Sequence, residues 1–168
     1  VISVQEKLNS ALSTILQNEI AVVGAGRTDT GVHASEMYAH FDCTLHLETN
    51  FAFKLNAILP KDIVVKQVFL VADDKHARFD AVSRSYEYKI WLGRNPFLLD
   101  FAWQIHSQRP DVAVMNTAAK LLLEYTDFQT FSKVKTDVHT YNCNVTVAYW
   151  DQKGDELTFH ITANRFLR

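Results

Sequence analysis

The first residues of the chain alternate apolar and polar side chains with the period of an amphipathic helix. Leu8 and Leu12 recur four residues apart on one face of that helix. Ser3, followed by Glu6 three residues later, forms a capping box at its start, because each side chain can bond the backbone N–H group of the other. The pattern predicts a helix over residues 4–17.

Shorter patterns predict the other elements. Runs rich in β-branched residues predict strands, and a proline at position 60 ends a helical stretch. The predicted strands cover residues 20–23, 37–41, 63–71 (a buried strand), 83–92, 144–150 and 156–162, the last two forming a hairpin, and the predicted helices cover 48–59 and 112–122. The order predicts an α+β fold with a mainly antiparallel sheet and helices packed on one face, divided into an N-terminal half at 1–82 and a C-terminal half at 83–168.

The predicted strand at 83–92 sorts its side chains between two faces. One face carries Tyr86, Tyr88, Ile90 and Leu92, and the other carries Glu87, Lys89 and Trp91. Such alternation is typical of a strand that is buried on one side only. We expect Tyr88 to pack in the core.

Composition places the chain among globular proteins. It has 168 residues, of which 48% are hydrophobic and 21% are charged, so it can bury a sizeable core. Cys43 and Cys143 are its only cysteines and lie far apart, which argues against a zinc site or a disulfide framework and fits a reducing, cytoplasmic location. We find no leader peptide and no apolar stretch that could span a bilayer, so we expect neither secretion nor membrane insertion.

The overall charge is unfavourable for a protein that binds nucleic acid. The formal net charge is -2, whereas affinity for phosphates usually comes from an excess of Lys and Arg. One segment, residues 75–94, reverses this balance, since its basic residues outnumber Asp80 and Glu87. These basic residues are Lys75, Arg78, Arg84, Lys89 and Arg94. Taken alone, they are better explained as solvated charges on a strand and its turns.

A glycine-rich loop follows the predicted strand at 20–23. Three glycines within residues 24–31 frame it, and glycine loops after strands often bind phosphate through backbone N–H groups. Neither common phosphate motif fits. The dinucleotide pattern needs a glycine where Asp29 stands, and the P-loop pattern needs Lys and Ser or Thr where Val32 and His33 stand. The loop presents a carboxylate instead, so an enzyme acting on nucleotide phosphates is disfavoured.

Asp29 is the residue of this loop best suited to chemistry. Thr28 and Thr30 flank it and Arg27 lies two residues before it, so charge and hydrogen bonds can keep the carboxylate ionised, as a nucleophile requires. An Asx-type turn, with Arg27 as a surface partner, accounts for the same residues. The residues by themselves leave both interpretations open.

Residues 26–34, with the sequence GRTDTGVHA, closely resemble the signature loop of the tRNA pseudouridine synthase A family. Further stretches resemble that family in the same order: SVQEKL at 3–8, LNAILP at 55–60 with DI at 62–63, HARFDA at 76–81, YEY at 86–88, DF at 127–128 with Phe131, and AN at 163–164 with FL at 166–167. The resemblance spans essentially the whole chain. It implies that the family pattern continues beyond both ends.

The resemblance implies a role for three residues. Asp29 matches the catalytic carboxylate, which promotes breaking of the glycosidic bond of a uridine so that the uracil turns and rejoins through C5. Tyr86 matches the active-site tyrosine, which stacks on the extruded uracil, and Arg27 matches the arginine beside the aspartate, so both are expected to bind substrate. No cofactor and no metal is implied, since substrate and product are isomers.

The resemblance also implies partners and a fold. Arg78 and Arg84 match basic positions near the cleft and, with Lys89 from the same basic segment, are candidate contacts to RNA phosphates. The implied fold is that of the pseudouridine synthases, with two ferredoxin-like halves around a central cleft, and the implied assembly is a homodimer that binds the anticodon arm of tRNA. A catalytically silent RNA-binding module or tRNA-folding helper is the alternative, and Asp29 argues against it.

The histidines show no spacing typical of metal ligands. His33 is interpreted as a residue that stabilises its loop, and not as a catalytic base. The others are interpreted as structural or surface residues, namely His40, His46, His76, His106, His139 and His160.

Overall fold

A computed structural model describes residues 2–133 and 140–167 of the chain. His139 and Arg168 therefore lie outside the described residues. The chain forms two compact units, Val1–Asp80 and Ala81–Arg168, where the sequence predicted a boundary after residue 82. Each unit has a hydrophobic core of its own.

The first unit begins with the predicted helix, α1, which spans Val4–Leu16. The hydroxyl of Ser3 accepts a hydrogen bond from the backbone N–H group of Glu6 at 3.1 Å, which satisfies one of the donors that the start of a helix leaves unpaired. The helix ends at Leu16. The next residue, Gln17, caps it with a φ of 55°, which lies in the left-handed region. Local capping signals therefore set both the start and the length of α1.

The rest of the first unit consists of α2, Phe51–Ile58, and a two-stranded antiparallel sheet of β1, Val23–Gly24, and β2, Ala39–His40. All three elements are shorter than the sequence predicted. The buried residues come from the two helices and the segments beside them: Ala11, Leu12, Leu16, Ile20, Val22, Phe51, Leu55 and Leu59. Burial of this apolar surface, and not the small sheet, is the main source of stability for the unit.

The predicted buried strand at 63–71 is wrong, because this segment belongs to no strand. Val65 packs against the core, whereas Val64 and Leu70 are 70% and 97% exposed. The side-chain amide of Asn56 bonds both the N–H and the C=O group of Val65, at 2.7 and 2.8 Å. The side chain of Asn56 thus supplies the hydrogen-bond partners that a neighbouring strand would give to Val65.

The second unit is a four-stranded sheet with one helix. In chain order its elements are β3 Arg84–Leu92, β4 Trp103–Ile105, α3 Val112–Leu121, β5 Val145–Lys153 and β6 Glu156–Ala163, with 3-10 helices at Pro96–Leu98 and Gln129–Phe131. The strands lie in the order β4-β3-β6-β5. β6 pairs antiparallel with β3 and β5, and β4, which the sequence pattern did not predict, pairs parallel with β3.

β5 and β6 form the predicted hairpin, but with a tighter turn. The strands pair as far as Lys153 and Glu156, so Gly154 and Asp155 connect them instead of the predicted loop at 151–155. Gly154 has a φ of 62° at the first central position of the turn, where type II′ turns place glycine. The turn chemistry therefore lengthens both strands.

α3 covers one face of this sheet. The side-chain amide of Asn116 bonds the N–H and C=O groups of Trp150 in β5, at 2.8 and 3.0 Å, and Ala119 packs against Val145 and Ala148. Together with the first unit, this arrangement confirms the α+β class. No helix in the described part of the chain is long and apolar enough to cross a lipid bilayer.

The two faces of β3 alternate as predicted. Ile90 is buried against Leu157 of β6, while Glu87 and Lys89 lie on the opposite face. Tyr88 shares the face of Ile90 but is 52% exposed, so the expectation that it packs in the core is wrong. Among the described residues, no element covers this part of the face closely enough to bury it.

Candidate active site

The loop that carries Asp29 connects β1 to β2. At its base, the backbone N–H group of Ala25 donates a hydrogen bond to the C=O group of Tyr38 at 2.9 Å, which extends the pairing of the two strands. Residues 26–39 are exposed. The loop therefore exposes its side chains to solvent, while backbone pairing joins its two ends.

Side chains of α1 hold the segment that leads into this loop. The N–H group of Ile20 donates to Oγ of Ser13, and that of Val22 donates to Oδ1 of Asn9, each at 2.9 Å. The side chains of Ile20 and Val22 are buried in the core. Hydrogen bonds and burial together fix the point at which the loop starts.

The returning half of the loop has contacts of its own. Nζ of Lys66 donates to the C=O group of Ser35 at 2.8 Å and lies 3.9 Å from the carboxylate of Glu36. A side-chain hydrogen bond between Glu36 and Tyr38, together with the negative charge of Glu36, raises the pKa of Tyr38. Tyr38 therefore stays protonated at neutral pH and does not act as a base in this loop.

Asp29 begins a tight turn within the loop. The N–H group of Val32 donates to the C=O group of Asp29 at 3.2 Å, and Gly31, the third residue of the turn, has a φ of 88°. A positive φ at this position is characteristic of a type II turn, and glycine adopts it without the steric cost of a Cβ atom. The other glycines of the loop have no positive φ.

The carboxylate of Asp29 is exposed. Among the described residues of the first unit it has no hydrogen-bond or ion-pair partner, and Arg27 is not paired with it. The Asx-type turn and the Arg27 pair, which the residues alone had left open, are therefore absent from this part of the structure. An exposed carboxylate keeps its oxygen lone pairs available to a substrate.

Tyr86 lies on β3, in the second unit, opposite Ile161 of β6. Its ring is 40% exposed and meets the ring of Phe166 edge to face, with the centroids 4.9 Å apart and an interplanar angle of 83°. This contact orients the tyrosine ring and leaves part of it open. Phe166 is a candidate site residue that the sequence analysis missed, although it belongs to the last stretch that resembles the family.

Two of the basic candidates lie near carbonyl or aromatic groups. Nη1 of Arg84 donates to the C=O groups of Ala81 and Asn164, at 3.0 and 2.9 Å, so this guanidinium also stabilises the end of the sheet. Arg78 is exposed in the first unit, and its Cζ atom lies 5.8 Å from the centroid of the Phe79 ring. Both guanidiniums stay candidate contacts to an external phosphate.

The third basic candidate, Lys89, has different surroundings. It lies on the face of β3 opposite to Tyr86, with Nζ 3.4 Å from Glu156 and 3.8 Å from Glu87. Two carboxylates thus already balance its charge. The basic segment is therefore not one continuous surface along β3.

Thiol and metal chemistry can be assessed from the same residues. Cys43 and Cys143 are free thiols, and burial raises the pKa of Cys143 more than the nearby Arg165 lowers it. A raised pKa keeps this thiol protonated and unreactive. Among the described residues, no three His, Cys, Asp or Glu side chains are placed to hold a metal ion.

Several known proteins are similar to this chain over nearly its whole length. The tRNA pseudouridine synthase A of Parabacteroides distasonis is 44% identical over 168 residues, which cover 99% of this chain and 66% of that protein. The proteins of the same name from Bacteroides thetaiotaomicron and Bacillus subtilis are 48% and 37% identical, over 99% and 98% of this chain and 63% and 68% of their own lengths. The chain belongs to the tRNA pseudouridine synthase A family. No protein-family model matches it.

The chain spans about two thirds of the length of the tRNA pseudouridine synthase A proteins that it matches. Within this part, the structure groups the predicted site residues by unit. Arg27 and Asp29 share the exposed loop of the first unit, and Arg84 and Tyr86 share one face of β3 in the second. That Asp29 and Tyr86 meet at one site remains a prediction.

The turn that holds Asp29 generates a prediction for glycine substitutions. Gly31→Ala is expected to lower the free energy of unfolding by about 1–2 kcal/mol, because an L-residue with a Cβ atom is strained at positive φ. No atom lies within 4 Å of the added Cβ, so the strain comes from the backbone alone. Urea denaturation followed by circular dichroism measures the difference.

Gly26→Ala is the matched control. It lies in the same loop, has no positive φ and also has nothing within 4 Å of an added Cβ. Its free energy of unfolding is expected to stay within about 0.5 kcal/mol of the wild-type value. Equal losses in the two variants would show that the conformation of Gly31 does not constrain the turn.

Proposed function

We propose that the complete protein converts uridine to pseudouridine in the anticodon arm of tRNA, with Asp29 as its catalytic carboxylate. The observation that carries this proposal is the exposed Asp29 carboxylate, held by a tight turn in a loop that resembles the family signature. The relatives are named tRNA pseudouridine synthase A, which supports tRNA as the substrate.

The reaction breaks one bond and forms another between the same two fragments. The bond between C1′ of the ribose and N1 of the uracil breaks, the uracil turns, and C1′ bonds to C5. N1 gains a proton and C5 loses one, so substrate and product are isomers and no oxidant, reductant or water is consumed. A carboxylate suits this reaction because it can bond or electrostatically stabilise the electron-poor C1′ while the uracil turns.

Tyr86 is proposed to stack on the uracil. A base must leave the RNA stack before its glycosidic bond can be reached, and an aromatic ring replaces part of the stacking that the base loses. The open part of the Tyr86 ring, with Phe166 at its edge, suits this role. One uracil can contact both Tyr86 and Asp29 only at a common site, so the proposal includes the pseudouridine synthase fold, in which two ferredoxin-like halves flank a central cleft.

Arg27 is proposed to bind the substrate from its position two residues before Asp29. Its planar guanidinium can bond a phosphate with two N–H groups or fill the gap that an extruded base leaves.

The proposal extends to a homodimer that acts on tRNA in the cytoplasm. A silent RNA-binding module or tRNA-folding helper is the alternative, and it differs in one respect, since it binds tRNA without isomerising uridine.

Asp29→Asn tests the carboxylate. The substitution keeps the shape of the side chain but removes its charge, so kcat is expected to fall by roughly 10³-fold or more while Kd for tRNA stays within about twofold. Pseudouridine is measured by chromatography of digested tRNA, after incubation of unmodified tRNA with the full-length protein and no added metal or cofactor.

Asp73→Asn is the control for this experiment. It removes the same charge from another exposed position in the first unit, and its turnover is expected to equal that of the wild type. Full activity of Asp29→Asn would contradict the proposed mechanism. A wild-type protein that binds tRNA but forms no pseudouridine would support the silent module instead.

Tyr86→Phe tests the hydroxyl separately from the ring. The variant retains the stacking surface, so Kd for tRNA is expected to stay near the wild-type value. If the hydroxyl mediates proton loss from C5, kcat is expected to fall by about 10²-fold or more. Tyr88→Phe makes the same chemical change two residues away on the same strand face, and similar rates for the two variants would refute a role of the Tyr86 hydroxyl in catalysis.

Salt dependence tests the phosphate contacts. Arg78→Ala is expected to flatten the plot of log affinity for tRNA against log salt by roughly one unit of slope, because one counterion-releasing contact is lost. Lys89→Ala is expected to leave the slope unchanged, because Glu156 and Glu87 already balance its charge. Arg84→Ala is expected to change the slope and also to destabilise the sheet end. A slope that responds to Lys89 and not to Arg84 would place the RNA on the face of β3 that carries Lys89.

A further inference from the structure

His40 connects the Asp29 loop to a turn far along the chain. It is the last residue of β2, pairs with Val23 of β1 and is half-buried. Its Nδ1 atom accepts a hydrogen bond from the backbone N–H group of Ala77, 37 residues later, at 3.1 Å. The contact joins the strand that closes the loop to the turn at residues 76–80.

This turn is organised around a second histidine. Nδ1 of His76 accepts hydrogen bonds from the N–H groups of Arg78 and Phe79, at 3.2 and 3.3 Å. The carboxylate of Asp80 accepts a hydrogen bond from the N–H group of His76 at 2.8 Å, and the N–H group of Asp80 donates to the C=O group of His76 at 2.9 Å. The rings of His40 and His76 meet edge to face, with the centroids 4.6 Å apart.

Both imidazoles serve as hydrogen-bond acceptors through Nδ1. A ring nitrogen that accepts a hydrogen bond from a backbone N–H group uses its lone pair, so the contact at position 40 requires an acceptor atom there. A leucine at position 40 has no acceptor. An asparagine has an oxygen at a similar distance from the backbone as Nδ1, so it can replace this one function of the imidazole.

Polar contacts stabilise this turn, which lies outside the hydrophobic core of the first unit. Among the described residues, none from 76 to 80 belongs to the core of the first unit. Phe79 is 75% exposed and packs on the ring of His76, with the centroids 4.2 Å apart. Arg78 lies at the centre of the turn. The position of its backbone relative to the Asp29 loop therefore depends on the bond between Ala77 and His40.

We propose that His40 is a positioning residue, which fixes Arg78 relative to the Asp29 loop so that one RNA molecule can contact both. This inference rests on the proposed function, in which Arg78 contacts an RNA phosphate. His40 acts on the geometry of a binding contact and not on the reacting atoms. Its loss therefore changes KM and Kd for tRNA and leaves kcat unchanged.

Three variants of the full-length protein separate the acceptor from the ring. His40→Leu removes the acceptor, His40→Gln moves it one bond further from the backbone, and His40→Asn keeps it near the position of Nδ1. We expect His40→Leu and His40→Gln to raise KM and Kd for tRNA roughly five- to tenfold, as the loss of one hydrogen bond implies, with kcat within about twofold. His40→Asn is expected to restore both constants to within about twofold of the wild type.

A double variant tests whether His40 acts through Arg78. His40→Leu is expected to raise Kd for tRNA in the wild-type background but not in protein that already carries Arg78→Ala, because the positioned group is then missing. A histidine that only supports the fold gives the same loss in both backgrounds. Urea unfolding of each variant shows whether the fold is intact.

Two results would overturn the positioning role: equal Kd values for His40→Asn and His40→Leu, or additive losses with Arg78→Ala. If His40→Leu does not fold, His40→Gln and His40→Asn carry the comparison, since both are polar. Failure of the proposed function has a different signature, in which the wild type forms no pseudouridine or Asp29→Asn remains active. A normal Asp29 result with unchanged Kd in every His40 variant would leave the function intact and refute this inference alone.

Discussion

The position of Asp29 depends on the pairing of two very short strands. β1 and β2 form two residue pairs, and the bond between Ala25 and Tyr38 adds one contact. Isolated two-stranded ribbons are marginal in water. This one is stable because α1 satisfies the N–H groups of Ile20 and Val22, and because the core buries their side chains. The loop that carries Asp29 therefore depends on the helix and on the core for its stability.

In this fold, asparagine side chains bond backbone N–H and C=O groups that a neighbouring strand usually bonds. Asn9 bonds the backbone of the segment entering the loop, Asn56 bonds both backbone groups of Val65, and Asn116 bonds both backbone groups of Trp150. Buried backbone groups need partners, and a planar amide offers a donor and an acceptor together. Three asparagines thus tie helices to segments that have no neighbouring strand on that side.

Local signals in the sequence made the helices predictable. The other elements depend on contacts between distant residues, which the sequence pattern does not show. Asp111 caps α3 through bonds that reach only three residues, so sequence alone identifies the helix start. The strand predicted at 63–71 is absent because an apolar, β-branched run does not itself supply a neighbouring backbone, and Asn56 bonds Val65 instead. In the candidate site, the resemblance of its loop predicts a role for Asp29, and that role stays a prediction. The φ of Gly31 and the pairing of Lys89 with Glu156 depend on the folded chain, which no local pattern encodes.

The Asp29 carboxylate is exposed and has no hydrogen-bond or ion-pair partner among the described residues of the first unit, which has an entropic consequence. The backbone below it is fixed, but no contact there restricts its rotamers. A side chain that becomes ordered only on binding loses conformational entropy at that step. In the proposed function, part of the free energy gained from RNA contacts is therefore offset by the ordering of the Asp29 side chain. Under that proposal, affinity for RNA and readiness for reaction are separate quantities, because an RNA contact can order a side chain that the first unit leaves without a partner.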